Sequence, residues 1–356
     1  MTENKSVAIS IIVPCYNVAD FIPRCLDSLL SQTLTNIEII CVDDKSTDDS
    51  LAVLQRYAKQ DSRIVVLALD SNYGVSVARN TGIDKACGKY IGFVDPDDYV
   101  DSNFYESLYQ RAINSDLQVV RGGVLCHNDK DYFVHPTTDK VKKNKVYFSS
   151  AFWSAIYKRD FLVSNSIKFP VGVITAQDIV FLCNAVIHAT DIAVVDNVFY
   201  HYTVGRAGNL DSAYLSKIKA ASKYMAFYNN LKILEENCCK SPDLRKLVLY
   251  HVFYHAMCTL TKTFESESSK RQLFSLASLV YKKYRLKKYI KKNYSIYILK
   301  ALDKCSYRYY KNHIDIKTRK AYVFGVFYLF NIDSCSKYTY IKLFGKLTLL
   351  KIKNRQ

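Results

Sequence analysis

Three carboxylates close an apolar run in Ile91–Tyr99, IGFVDPDDY. Asp95 and Asp97 stand one residue apart, so a turn can aim both at one hard cation. Mg²⁺ and Mn²⁺ take oxygen ligands and are often held by one or two carboxylates together with substrate phosphates. The same residues would also serve as a solvated acidic turn, with an aspartate capping the next helix. A second acidic pair, Asp43-Asp44, follows another apolar run. His201, in the aromatic run Asn197–Val204 (NVFYHYTV), offers a nitrogen able to ligate a metal, and reads equally as a packed strand histidine. His251 and His255 have the i, i+4 spacing of a zinc-protease helix, but HVFYH lacks the glutamate, so they read as packing residues.

These carboxylates need a scaffold, and the pattern around them supplies one. Val7–Val13 (VAISIIV) is a continuous β-branched run suited to a strand buried on both faces, stopping at Pro14-Cys15-Tyr16-Asn17. Phe21, Ile22, Cys25, Leu26, Leu29 and Leu30 then recur at helical spacing. Ile37–Val42 reads as a second strand ending in Asp43-Asp44, and Ser46 with Asp49 has the form of a capping box. The helix it opens places Leu51, Leu54, Tyr57 and Ala58 on one side, and Ile64–Leu69 reads as a third strand. A helix through Ala78 and Ile83 follows, with Gly88 placed to end it, and Tyr90–Val94 is the fourth strand. Alternating strands and helices predict an α/β fold with a doubly wound, mostly parallel sheet. Right-handed crossovers bring the loops PCYN, DDKSTDD and DPDDY to one edge, where ligands sit in open α/β sheets. A nucleotide base, a ribose and a diphosphate with its metal would fit across that crevice. Neither a G-x-G-x-x-G nor a P-loop sequence occurs, which argues against a dinucleotide or P-loop site.

A chain of 356 residues, 49% hydrophobic and 23% charged, can bury a sizeable core and predicts two domains. The late apolar run Ala321–Phe330 is too short for the roughly 17–25 residues a membrane-spanning helix needs. The start, MTENKSVAIS, shows no signal peptide, and the eleven scattered cysteines predict reduced thiols in a cytoplasmic protein. Charge is split unevenly. Residues 211–356 carry 30 Lys and Arg against 9 Asp and Glu, a net of +21; residues 1–210 carry 20 against 24, a net of −4. Such asymmetry points to an acidic catalytic part, 1–210, and a basic, Tyr- and Lys-rich, mainly helical part, 211–356, that meets something anionic. Its densest run is Lys282, Lys283, Arg285, Lys287, Lys288, Lys291 and Lys292. With no nucleic-acid motif present, an anionic membrane surface is the expected partner, in a peripheral protein on the cytoplasmic face of the inner membrane.

IIVPCYNVADFIPRCLDSLLSQT, IEIICVDDKSTDDS, NYGVSVARNTGIDKACGKYIGFVDPDDY and the later QDIVF together resemble glycosyltransferase family 2, inverting enzymes of the GT-A fold. The resemblance covers roughly residues 1–210 and implies a nucleotide-sugar donor, most often a UDP-sugar, a divalent Mn²⁺ or Mg²⁺, and one carboxylate base. Carried onto this chain, it puts Pro14, Tyr16 and Asn17 around the nucleobase and ribose, and Asp44 against the uracil edge. Arg79 falls near the base or the phosphates, Asp95 near the ribose and diphosphate and as a second metal candidate, and Asp97 on the metal. Asp178 becomes the general base, and His201 an additional metal ligand. FWSAIYKRDFLVSNSIKFP resembles the acceptor-side segment; Phe152 and Tyr157 read as core, and Trp153 as a ring that could stack on a sugar. Two departures stand out: Lys45 where the family has a glycine, and Gln177 where it has a glutamate.

The expected function is transfer of a hexosyl or N-acetylhexosaminyl group from a UDP-sugar to a hydroxyl of a glycan or lipid-linked glycan, in bacterial surface-polysaccharide synthesis. The ending LFGKLTLLKIKNRQ resembles that of some such enzymes. The rival expectation is a GT-A-like protein that binds a sugar nucleotide or polyanion with weakened catalysis, marked by Gln177.

Overall fold

The computed structural model describes residues 6–127, 132–135, 151–173, 176–203, 216–236 and 266–283, with positions 253, 302 and 303. Lys140–Lys145, His251, His255 and the basic run beyond Lys283 lie outside the described residues.

Strands β1 (Ile9–Cys15), β2 (Ile37–Asp43), β3 (Ile64–Ala68) and β4 (Tyr90–Phe93) alternate with helices α1 (Ile22–Leu30), α2 (Ser50–Gln60) and α3 (Val75–Lys85). They pair in parallel in the order β3-β2-β1-β4. Every residue of β1 is buried, as a strand covered on both faces requires. The run predicted to stop at Val13 continues to Cys15, because Pro14 and Cys15 stay in register with Val42 and Asp43 of β2.

Beyond β4 the sheet turns mixed. β5 (Tyr99–Val100), α4 (Phe104–Ile113), β6 (Val119–His127), β7 (Tyr132–His135), β8 (Ala155–Lys158), α5 (Arg159–Ser164), α6 (Gln177–His188) and β9 (Ile192–Thr203) follow in sequence. The order runs on as β4-β8-β6-β9-β5, with β8 antiparallel to β4 and β6, β9 parallel to β6, and β7 against β6. The apolar run Leu117–Val120, which reads as a strand in the sequence, enters β6, which starts at Val119 and extends to His127, and the aromatic run from Asn197 is the second half of β9.

Alternate residues of β1 feed two cores: Ile12 joins Ile40, Ile91, Phe93, Phe152, Phe169 and Phe181 on one face, while Ile11 and Val13 join Leu26, Ile39, Phe104 and Tyr105 on the other. Helices α7 (Ser216–Glu236) and α8 (Glu267–Lys283) supply Phe227, Leu231, Leu273 and Phe274 to the first core. Among the described residues after 210, these two helices therefore pack on the α6 side of the sheet.

Two local expectations are corrected. Ser46 is no helix cap: its hydroxyl accepts the Asn17 N–H, the helix starts at Ser50, and Asp48 takes the Ser50 N–H instead. Gly88 does not end α3, which stops at Lys85. A Cβ at Gly88 would lie 2.4 Å from the Ser10 nitrogen, so this glycine serves the close approach of its chain to β1.

Candidate active site

β4 delivers the chain into a tight turn. The Asp98 N–H donates to the Asp95 carbonyl at 2.9 Å, with Pro96 at the second position, which its fixed φ favours. Asp95 and Asp97 remain half-buried, whereas Asp98 is 1% exposed. Both Asp98 oxygens are bound, one by the Tyr200 hydroxyl at 2.8 Å and one by the Thr203 N–H at 2.7 Å. Burial first, and then the charges of Asp97 and Asp95, push the Asp98 carboxyl well up. The Asp97 carbonyl accepts from Arg24 and from the Thr203 hydroxyl.

Arg79 rises from α3 to meet this turn. Its Nη2 donates to Asp95 Oδ1 at 2.6 Å, and its guanidinium lies 4.7 Å from the Phe152 ring centroid and 5.2 Å from that of Phe169. Its Nε and Nη1 are buried without partners. Asp178 sits in the first turn of α6, after Ala176, whose φ of 64° is left-handed. Burial pushes the Asp178 carboxyl above the ordinary aspartate value, aided by the charge of Asp95, while Arg79 and backbone N–H groups pull it down. Two carboxylates and one guanidinium thus share a partly desolvated site, the kind of setting in which burial raises the basicity of a carboxylate. Gln177 is buried, and its side-chain oxygen has no partner.

The loops after β1 and β2 interlock. Asn17 Oδ1 accepts from the Thr47 N–H at 2.8 Å, and the Asp44 N–H donates to the Cys15 carbonyl at 2.8 Å. Asp44 in turn accepts the N–H groups of Tyr73 and Gly74, each at 2.8 Å, and so fixes the entry to α3, where Gly74 has φ 90°. Pro14 is buried in β1, while the Tyr16 and Tyr73 rings are about half exposed, at 46% and 54%. Lys45 has φ 61°, a left-handed conformation that explains why a glycine would suit this position.

Trp153 and His201 are engaged by aromatic and polar neighbours of their own. The half-buried Trp153 stacks on Tyr202, with centroids 5.3 Å and planes 10° apart, and meets Tyr200 at 4.1 Å. His201 has both ring nitrogens engaged, Nδ1 with His127 and Nε2 with Asp101, each at 2.7 Å. Its geometry therefore does not support the metal-ligand expectation. Sequence reasoning missed Asp98, Tyr200, Thr203 and Arg24; only the DPDD spelling hinted at Asp98.

Among the described residues, no group of three or more His, Cys, Asp or Glu side chains could hold a metal alone. Asp97 and Asp95 offer hard oxygen donors only. Such a pair fits a Mg²⁺ or Mn²⁺ that completes its shell with substrate oxygens, rather than a caged structural metal.

Residues 10–175 match the family model described as Glycosyl transferase family 2. The uncharacterized glycosyltransferase EpsJ of Bacillus subtilis is 34% identical over 262 residues, which span 68% of this chain and 75% of EpsJ. The Staphylococcus aureus poly(ribitol-phosphate) beta-N-acetylglucosaminyltransferase TarS is 30% identical over 219 residues, 58% of this chain and 37% of TarS. The crystal structure of TarS 1–349 in complex with UDP-GlcNAc superposes with a TM-score of 0.62 at 21% identity, covering 77% of this chain and 80% of that one. A Pyrobaculum calidifontis mannosyltransferase in complex with GDP-Man and Mn²⁺ superposes with a TM-score of 0.53 at 16% identity, covering 90% and 86%. The two superpositions are likenesses of fold.

Proposed function

The chain belongs to glycosyltransferase family 2 and is a glycosyltransferase of GT-A fold, and on that footing we propose a metal-dependent inverting enzyme using a UDP-sugar donor. The observation that carries this reading is the meeting of the strand-end Asp95–Asp98 turn, Arg79 and Asp178 at one edge of the sheet. TarS in complex with UDP-GlcNAc and the mannosyltransferase with Mn²⁺ support the donor class and the cation by kinship of fold.

In this reading Asn17 and Asp44 hold the nucleoside loops in shape, and Pro14 and Tyr16 border the base. Asp97, with Asp95 beside it, holds the divalent cation. Bound there, the cation offsets charge on the departing diphosphate. Arg79 keeps Asp95 in place and sustains the ionised form of Asp178. Asp178 takes the proton from an acceptor hydroxyl as that oxygen attacks the anomeric carbon opposite the leaving group. Trp153 lies on the acceptor side. The acceptor proposed is a glycan or lipid-linked glycan of a bacterial surface polymer, in keeping with the poly(ribitol-phosphate) named for TarS.

We assign residues 1–210 to catalysis and 211–356 to docking on an anionic, cytoplasmic membrane face. The outward side of α8 exposes Arg271, Leu279, Lys282 and Lys283, and no described helix is long and apolar enough to cross a membrane. Binding to anionic vesicles that exceeds binding to neutral ones, and fades between 0.1 M and 1 M salt as the Debye length shrinks from about 10 Å to 3 Å, supports docking; equal binding rejects it.

A second reading, a binding protein with weakened catalysis, draws on Gln177, whose buried carboxamide adds no charge beside Asp178. One experiment separates the two. Nucleotide release from UDP-sugars should require Mn²⁺ or Mg²⁺, stop with EDTA and be lost in Asp97→Asn. UDP binding without turnover under any metal favours the second reading.

A further inference from the structure

We infer that Tyr200 is the positioning residue that sets the Asp95–Asp98 turn for its cation and diphosphate. This rests on the proposed metal-dependent donor site and adds a residue that touches neither metal nor substrate.

Tyr200 lies in β9 with no exposed surface. Its hydroxyl accepts the Asp95 N–H at 3.0 Å and donates to Asp98 Oδ2 at 2.8 Å, so one oxygen spans the first and last residues of the turn. Thr203, further along β9, holds the other Asp98 oxygen through its N–H at 2.7 Å and the Asp97 carbonyl through its hydroxyl at 2.7 Å. Arg24 Nη2 donates to that same threonine hydroxyl at 2.9 Å.

β9 reaches the turn through an irregularity. Opposite β6, Arg121 pairs with Val194 but Gly123 pairs with Phe199, and Asn197 in the looped-out stretch has φ 63°. Such a bulge re-aims the side chains that follow it. After it, β9 pairs with β5 at Val100–Tyr200 and Tyr99–His201, directly behind the turn.

The tyrosine ring is fixed independently of its hydroxyl. It meets Trp153 at 4.1 Å and stands edge-on to Phe104 at 6.5 Å. Tyr200→Phe should therefore keep the packing and remove only the oxygen. The Asp95 N–H and one Asp98 oxygen would then lose their partner in a buried place, and the turn would relax away from the shape that presents Asp97.

The test compares full-length wild type and Tyr200→Phe by Mn²⁺ binding in the presence of UDP, read from the loss of the free-Mn²⁺ signal in electron paramagnetic resonance. The Mn²⁺ midpoint of UDP-sugar turnover is measured alongside. Binding should weaken about 10- to 100-fold, the range for a buried charged hydrogen bond, and the midpoint should rise in step. At saturating Mn²⁺, kcat should fall by less than the midpoint moves. Tyr57→Phe removes another tyrosine–aspartate bond, to Asp27 at 3.0 Å, in which neither side chain is bonded to the turn, and should leave Mn²⁺ binding unchanged. If Tyr200→Phe does not fold, Thr203→Val takes its place and should move Mn²⁺ binding the same way. Wild-type Mn²⁺ affinity in the folded variant overturns the inference alone. A wild type that binds no Mn²⁺ with UDP overturns the inference and the proposed function together.

Discussion

Replacing Arg79 by methionine tests the electrostatic core of the site. Methionine approximates the arginine stem but carries no charge, so it loses both the bond to Asp95 and the guanidinium's place over the Phe152 and Phe169 rings. Removing one partner of a fully buried ion pair typically costs about 3–5 kcal/mol. Here two corrections reduce that figure. The Asp95 side chain is 25% exposed, so water takes over part of its stabilisation once the guanidinium is gone. The Nε and Nη1 donors have no partners, so their removal returns some desolvation energy. The net loss should be about 2 kcal/mol, or about 4–8 °C in Tm by the scaling for domains of this size.

The catalytic effect has a definite sign. Arg79 lowers the Asp178 carboxyl against burial, so its loss lets that carboxyl rise further. A base works only when deprotonated, so the acidic limb of the kcat–pH profile should move to higher pH. Asp95→Asn removes a charge that raises Asp178, and should move whatever activity remains the opposite way. The assay is UDP release from a UDP-sugar across pH at saturating Mn²⁺, with melting curves on the same samples. An Arg79→Met protein whose acidic limb stays at the wild-type pH would refute the assignment of Asp178 as a base held near Arg79.

Further expectations concern single positions. Asp178→Asn should stabilise the fold. The folded carboxyl titrates above its unfolded value, so wild type loses stability as pH rises between the two, and urea titrations of the asparagine variant should lack that loss. Lys45→Gly should raise stability by about 1 kcal/mol in the same titrations, because a left-handed φ strains any residue with a Cβ. Gly88→Ala should cost about 3 kcal/mol, since the added carbon would meet the backbone of Ser10 and Ile9. Asp44→Asn turns one acceptor into a donor facing Tyr73 or Gly74, and should weaken UDP binding in calorimetry more than it lowers Tm.

What could be read from the sequence was local. The buried run of β1, the acidic ends of β2 and β4 and the helical spacing of α1 follow from side chains near in sequence, and the structure has these elements in the order the pattern put them, with β1 running two residues further, to Cys15. The Ser46 cap failed because Asn17, 29 residues earlier, claims its hydroxyl. The Gly88 reading failed because the reason for that glycine lies on β1, 78 residues away, where its N–H meets the Ser10 hydroxyl. Tyr200 and Thr203 gave no signal at all. They act on Asp98 across 102 and 105 residues, through a bulge in β9 that no periodicity announces. His201 drew attention for its chemistry, yet Asp101 and His127 occupy it.

The most direct test is a panel of nucleotide sugars offered with Mn²⁺ to wild type, Asp97→Asn and Asp178→Asn, following nucleotide release. The account predicts that wild type turns over a UDP-sugar, that Asp97→Asn loses metal-dependent turnover, and that Asp178→Asn binds UDP as wild type does but turns over about 10²- to 10⁴-fold more slowly. Release from no nucleotide sugar, or an Asp178→Asn protein as fast as wild type, would contradict it.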